Sequence, residues 1–250
     1  MLQIKNLFFA VDDAGQKKEI LNNISLEIPD GKLFVITGPN GGGKSTLAKL
    51  IAGIEKPTSG QILFNGEDIT EMSITDRARL GIAFAFQQPV RFKGIQVADL
   101  IRLAAGKELT IAEACGYLSQ VGLCAKDYIH REVNASLSGG ELKRIEIASV
   151  LARKSLLMLF DEPEAGIDLW SFNNLIEVFR DQREELADRS ILIISHQERI
   201  LNIADEIVVL ENGSLKRQGD KDDVLPDLIG TSSAIPDCQG NPMPKQKQGC

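Results

Sequence analysis

Four short runs of the chain are apolar or β-branched at every position: residues 33–37 (LFVIT), 156–160 (LLMLF), 191–194 (ILII) and 207–210 (IVVL). A strand without polar alternation must be covered on both faces, so these runs predict the buried strands of a mostly parallel sheet. Helical patterns fall between them. STLAKLIAG follows the first run and ends at Gly53 with Pro57 beyond, a second helix is expected over about 169–187, and QERILNIADE (197–206) reads as a third. Alternating strands and helices predict an α/β fold with helices on both faces of the sheet. Before the first run, LQIKNLFF and ILNNISLEI flank a DDAG turn and read as antiparallel strands, and QILFNGEDI reads as a hairpin turning on Asn65-Gly66. Residues 75–153 are rich in helix formers broken by glycines and are expected to form a helical subdomain inserted in a single domain over 1–225. Residues 226–250 carry Pro226, Pro236, Pro242 and Pro244 among Gly, Gln and Lys, and are expected to be a flexible tail. No internal repeat is present.

Composition narrows the partners. A chain of 250 residues, 43% hydrophobic and 25% charged, is that of an ordinary globular protein. Its apolar runs fall far short of the roughly 18 residues of a bilayer-spanning helix, and MLQIKNLFFAVDD does not read as a secretory signal. No direct membrane insertion is expected, and the location expected is cytoplasmic. With 28 basic and 35 acidic residues the net charge is -7. A general polyanion-binding surface is therefore absent, no nucleic acid is expected as partner, and any phosphate binding must be local. Cys115, Cys124, Cys238 and Cys250 form no CxxC pair and are expected to be reduced. Cys238 and Cys250, without a histidine beside them, read as spectator thiols.

The local phosphate site is explicit. Residues 38–45, GPNGGGKS, fit the pattern GxxxxGKS directly after a buried strand and at the start of a helix. Gly41, Gly42 and Gly43 let successive N–H groups curl inward around phosphate oxygens, and the positive end of the helix adds to that field. Lys44 reaches the β and γ phosphates, and the Ser45 hydroxyl is a ligand for Mg²⁺. The second strand run ends in Asp161-Glu162. A carboxylate at the end of a neighbouring strand lies where the nucleotide's Mg²⁺ sits, which suits Asp161, and Glu162 is placed to act as general base toward a water. At residues 137–141, LSGGE opens another helix, so Ser138, Gly139 and Gly140 offer a second anion site.

Taken together, the GPNGGGKS loop, LSGGE, LLMLFDE and Ser195-His196 resemble an ATP-binding cassette (ABC) ATPase over about residues 2–224. That resemblance implies a P-loop cassette with a RecA-like sheet core, an antiparallel β subdomain and a helical subdomain, and hydrolysis of ATP with Mg²⁺. It implies an ATP-dependent homodimer in which the loop of one copy, Gly38, Pro39 and Asn40 through Thr46, faces Ser138 and Gly140 of the other. By the same resemblance, Gln87 or its neighbour Gln88 senses Mg²⁺, with Gln87 preferred. Asp168 lies on a loop that crosses the interface, and His196 contacts the γ-phosphate. Within the family, residues 72–95 and 131–147 are similar to the SufC-type ATPase of iron-sulfur cluster assembly, notably at Asp76-Arg77, Phe86, Gln87, Pro89 and in SGGE-x-KR. Val11 stands where transporter ATPases stack an aromatic on adenine. The partner implied is a soluble SufB/SufD-like scaffold; the alternative is the membrane subunits of an ABC transporter.

Overall fold

The computed structural model describes residues 1–232 apart from Ala14 and Ala135. The expected tail beyond residue 232, with Cys238 and Cys250, lies outside the described residues. The chain opens with β1 (Leu2–Asp13), β2 (Gln16–Ile28), β3 (Leu33–Thr37), α1 (Lys44–Ala52), β4 (Ser59–Phe64), β5 (Glu67–Asp68), α2 (Ile74–Arg79) and β6 (Ile82–Ala85). Helices α3 (Val97–Ala105), α4 (Ile111–Gln120), α5 (Ala125–Tyr128) and α6 (Gly139–Ala152) follow. The chain then runs through β7 (Leu157–Asp161), α7 (Leu169–Glu184), β8 (Ser190–Ile194), α8 (Glu198–Leu201), β9 (Glu206–Glu211), β10 (Ser214–Asp220) and α9 (Lys221–Ser232).

Two sheets result. The antiparallel sheet has the order β2-β1-β4-β5 and the larger one β10-β9-β3-β8-β7-β6. In the larger sheet β9, β3, β8, β7 and β6 pair in parallel, while β10 pairs antiparallel to β9. Successive side chains of the central strands face opposite ways, as the strand period of two requires. Leu33, Val35, Met158, Phe160, Ile191 and Ile193 join the core built with α3, α4, α6 and α7. Phe34, Ile36, Leu157, Leu159, Leu192 and Ile194 join a second core with α1 and the antiparallel sheet. Every residue of β3, β7 and β8 is buried, which is why these strands read as unbroken apolar runs.

The structure differs from the sequence reading at four places. The stretch 75–153, read as all helical, contains β6, an edge strand of the main sheet paired with β7. Ala83 and Ala85 are helix formers, and in a long window they mask a four-residue strand held by its neighbour. Strand β10 was not foreseen, because its polar sequence SLKRQGD, with no fully buried residue, belongs to a sheet edge, where charge discourages further pairing. The stretch 197–206 keeps only the short helix α8 before it turns into β9. Helix α9 runs across the point at which the tail was expected to begin and contains Pro226.

Helix α1 carries the phosphate loop, and its far end is fixed by a side chain from α2. Arg77 is 1% exposed, and its guanidinium donates to the carbonyls of Leu50 (2.6 Å), Ile51 (2.9 Å), Thr70 (2.8 Å) and Met72 (3.2 Å). Last-turn carbonyls of α1 that no longer have helical partners are thereby satisfied. No helix among the described residues is long and apolar enough to cross a membrane.

Candidate nucleotide site

The loop between β3 and α1 has a backbone that only glycine tolerates at two key points. Gly38 has φ +132°, and a Cβ there would stand 1.9 Å from the Leu210 carbonyl oxygen. Gly43, the residue preceding α1, has φ +94°, and its Cβ would meet Leu21 at 2.4 Å. These close approaches press the loop against β9 and β2, and the loop lines an open cleft of about 580 Å³. Asn40, Gly41, Gly42, Gly43, Lys44, Ser45 and Thr46 line it on one side; Lys18, Glu19, Ile20, Glu162 and the Asn212-Gly213 turn line the rest. That last turn was missed from sequence, although Asn-Gly between two strands is the signal that finds it.

Lys44 is 6% exposed and donates to the carbonyls of Gly38 (2.8 Å) and Pro39 (3.0 Å), so the ammonium holds the loop in its curled form. Burial lowers its pKa, opposed by the charges of Glu162 and Asp161. The Ser45 hydroxyl donates to Asp161 Oδ1 at 3.0 Å, which brings together two of the predicted Mg²⁺ ligands from residues 116 positions apart. Asp161, 2% exposed at the end of β7, has its pKa raised by burial, partly offset by the Ser45 hydrogen bond. Glu162 has φ +44°, with its N–H donating to the Ile194 carbonyl at 3.0 Å. A non-glycine residue in this region is strained, and here the strain turns the side chain at the strand end toward the cleft. Its Oε2 accepts from Gln87 Nε2 at 2.6 Å, so of the two adjacent glutamines it is Gln87 whose amide reaches the carboxylate.

Next to this, the fully buried Ser195 donates to Glu164 Oε1 at 2.5 Å and accepts from the Gln197 N–H, fixing the turn that presents the exposed His196. Burial raises the pKa of Glu164. Asp168 caps α7, accepting from the N–H groups of Trp170 and Ser171 at 3.0 Å each, and these bonds, those of Ser171 foremost, hold its carboxyl below the usual range. Ser138 caps α6 in a reciprocal box with Glu141. The loop before Asp168 packs on the start of α6, since a Cβ on Gly140 would lie 2.8 Å from the Gly166 carbonyl oxygen. None of Ser138, Gly139, Gly140, Asp168 and His196 lines the cleft of its own chain. Nor does Val11: it is paired across the ladder with Lys18, and Lys18 is the one that reaches the cleft wall.

A buried lysine, Lys143, was quoted in the SGGE-x-KR pattern but given no role. It is fully buried on α6 and donates to the carbonyls of Phe86, Gln87 (3.4 Å) and Asp161 (3.3 Å), with an ion pair to Glu146 at 3.6 Å. Glu146 in turn accepts from the Phe86 N–H at 3.0 Å. Burial lowers the pKa of Lys143 and raises that of Glu146, each drawn back by the other's charge. One helix is thereby tied to the strand end bearing Asp161 and to the segment bearing Gln87. Only the fold brings these groups together, so sequence spacing gave no sign of it.

A glycine loop opening a helix beside an acidic strand end is the equipment of a P-loop nucleoside triphosphatase. Its residues fit a nucleotide with Mg²⁺: the cradle has no room for side chains at Gly38 and Gly43, and Ser45 and Asp161 supply the oxygen donors that this hard cation takes. The chain belongs to the ABC transporter family, whose sequence profile matches residues 21–165. It is 39% identical over 217 residues to an uncharacterized ABC transporter ATP-binding protein of Methanocaldococcus jannaschii, covering 83% of this chain and 85% of the relative. It is 34% identical over 241 residues to the probable ATP-dependent transporter ycf16 of Antithamnion sp., covering 90% and 93%. Among solved structures, a dimeric ATP-binding cassette in a post-hydrolysis state with ADP and Pi superposes with a TM-score of 0.79 at 22% identity, over 88% of this chain and 99% of that one. The protein is thus an ABC ATPase that uses ATP and Mg²⁺.

Proposed function

We propose that this chain is the ATP-driven switch of a cytoplasmic, soluble SufB/SufD-like scaffold for iron-sulfur cluster assembly. In this reading two copies enclose two ATP molecules. Residues 38–46 of one copy hold the phosphates, and Ser138, Gly139 and Gly140 of the other close over them, with Asp168 on the interface loop and Val11 beside the adenine. Ser45, Gln87 and Asp161 would hold the Mg²⁺, which when bound would supply charge neutralisation to the phosphates. Glu162 takes a proton from the attacking water, and His196 donates to the γ-phosphate. Because Lys44, Ser45 and Glu162 are each hydrogen-bonded within the chain, ATP binding exchanges these bonds for bonds to phosphate and metal.

The observation that carries the reading is the Gln87–Glu162 hydrogen bond, because Gln87 directly follows Phe86, whose side chain lines a neighbouring groove. That groove, about 320 Å³, is lined by Ile74, Phe84, Phe86, Val90, Phe92 and Leu100 among others, so it is largely apolar. Much of this lining comes from residues 72–95 and 131–147, the two segments that carry the SufC-type resemblance. A client seated there can bias Gln87, and closure of the cassette can move the client. The second reading, the ATP-binding subunit of a membrane transporter, is favoured by the names of the relatives. Affinity purification of the chain with ATP and Mg²⁺ separates the two. A stoichiometric soluble partner recovered without detergent supports the scaffold, and recovery only with an integral membrane protein overturns it.

A further inference from the structure

The turn that bears Ser138 is held by two side chains outside the LSGGE run, Tyr128 and Arg131. Tyr128, the last residue of α5, donates its hydroxyl hydrogen bond to Glu141 Oε1. The other carboxylate oxygen of Glu141 accepts from the Ser138 N–H at 2.6 Å. Arg131 lies over the Tyr128 ring, 5.2 Å from its centre, and donates to the Ser136 carbonyl at 3.1 Å on the other side of the same turn. We infer that Tyr128 and Arg131 form a clamp which preorganises Ser138 for the nucleotide of a second copy, and so set the strength of ATP-driven closure. This rests on the proposed reading in which Ser138 completes the site of the partner copy.

The geometry separates this role from stabilisation of the helix. Ser138 and Glu141 already cap α6 reciprocally, so the helix start needs no help from Tyr128. What Tyr128 adds is a second anchor on Glu141, which fixes the rotamer of that carboxylate and through it the Ser138 backbone. The Glu141 carboxyl is held below its usual range, first by Tyr128 and then by the Ser138 N–H, so it is a charged and firm acceptor. Ser138 Oγ accepts only a long bond from the Glu141 N–H, 3.3 Å, and its own proton stays available to donate outward. A donor fixed before its anion arrives loses little freedom on binding, and charge-assisted bonds such as Tyr128 to Glu141 are the strong kind. Tyr128 and Arg131 are positioning residues, since neither lines the cleft.

The test compares Tyr128→Phe with its parent in a Glu162→Gln background, which holds the closed dimer. Phenylalanine keeps the ring beneath Arg131 and removes only the hydroxyl. Two quantities are read with ATP and Mg²⁺: nucleotide affinity of the single chain at high dilution, and the chain concentration at half-dimerisation by sedimentation. The clamp requires unchanged affinity in the single chain and dimerisation weakened roughly tenfold, the loss of one charge-assisted bond. Glu141→Gln, which keeps an acceptor but not its charge, shifts dimerisation in the same direction. Dimerisation as tight as in the parent overturns the clamp, and so does an equal loss in both quantities, which marks a structural role. If the parent itself forms no dimer with ATP, the shared-site reading is wrong and the clamp falls with it.

Discussion

Replacing Asp161 with asparagine exposes a conflict between folding and function at the metal site. Asp161 is 2% exposed, and burial raises its pKa despite the Ser45 hydrogen bond and the charges of Lys143 and Lys49. Without metal, an ionised carboxylate there costs folding free energy. Asparagine has the same shape, can keep an oxygen 3.0 Å from the Ser45 hydroxyl, and carries no charge. The nucleotide-free Asp161→Asn chain should therefore be more stable, by about 1–2 kcal/mol as for other single relief-of-strain changes. For a chain of this size that is about 2–8 °C in Tm. The sign of the pH dependence follows from the direction of the shift. A raised folded-state pKa gives stability that is fully present below the ordinary carboxylate pKa and is lost as pH rises through the folded value. The gap between variant and parent should thus be small in acid and widen toward neutral pH. Differential scanning calorimetry in EDTA from pH 4 to 8 measures it. Saturating ATP and Mg²⁺ should reverse the order, because ligand at 100 times its Kd adds about 2.7 kcal/mol and the parent alone keeps the metal carboxylate. A variant that is less stable than the parent in EDTA at neutral pH, or a gap that does not change with pH, would refute the reasoning.

Three further outcomes follow from the assigned contacts. Lys44→Ala should weaken ATP binding by ~10²–10⁴-fold, the loss of two charge-assisted contacts of about 1.5–3 kcal/mol each, and an unchanged Kd by calorimetry would remove Lys44 from the cradle. Glu162→Gln should still bind ATP but stall, with turnover lowered by about 10²–10⁴-fold as expected for a lost general base, and steady-state phosphate release at the parental rate would exclude that role. Arg77→Met should cost about 2–4 kcal/mol, because it removes the donor from the buried Leu50 and Ile51 carbonyls and from the part-buried Thr70 and Met72 carbonyls; a urea midpoint equal to the parent's would show that water or relaxation takes its place.

What was legible in the sequence is what a short stretch encodes by itself. The phosphate loop, the acidic end of β7 and the strands β3, β7 and β8 were found because burial on both faces leaves a continuous apolar run and a tight loop leaves glycines. Strand β6 was hidden because its existence depends on β7, which is joined to it only after 71 intervening residues (156 minus 85). Arg77 and Lys143 were visible as letters shared with a family. Their work is to satisfy carbonyls on distant elements, and no pattern within a helix records that. Val11 was placed by resemblance alone; its ladder partner Lys18 lines the cleft, a cross-strand neighbour that only the β1–β2 register reveals.

The resting site also argues for why the cage is divided between two chains. Within one chain the reactive groups are already paired with each other: Lys44 with its own loop carbonyls, Ser45 with Asp161, and Glu162 with Gln87. Such pairing keeps a cluster of carboxylates and an ammonium stable without ligand, and it holds each group away from chemistry. Nucleotide and metal can displace these bonds, since they bring more charge than the partners they replace. Ser138, Gly139 and Gly140 at the start of α6 do not line their own chain's cleft. In the proposed shared site, a triphosphate seated in one copy would meet its remaining donors only when a second copy arrives. Hydrolysis would then remove the γ-phosphate those donors hold, and with it the reason for the two copies to stay together, and the Gln87–Glu162 contact could form again as they part.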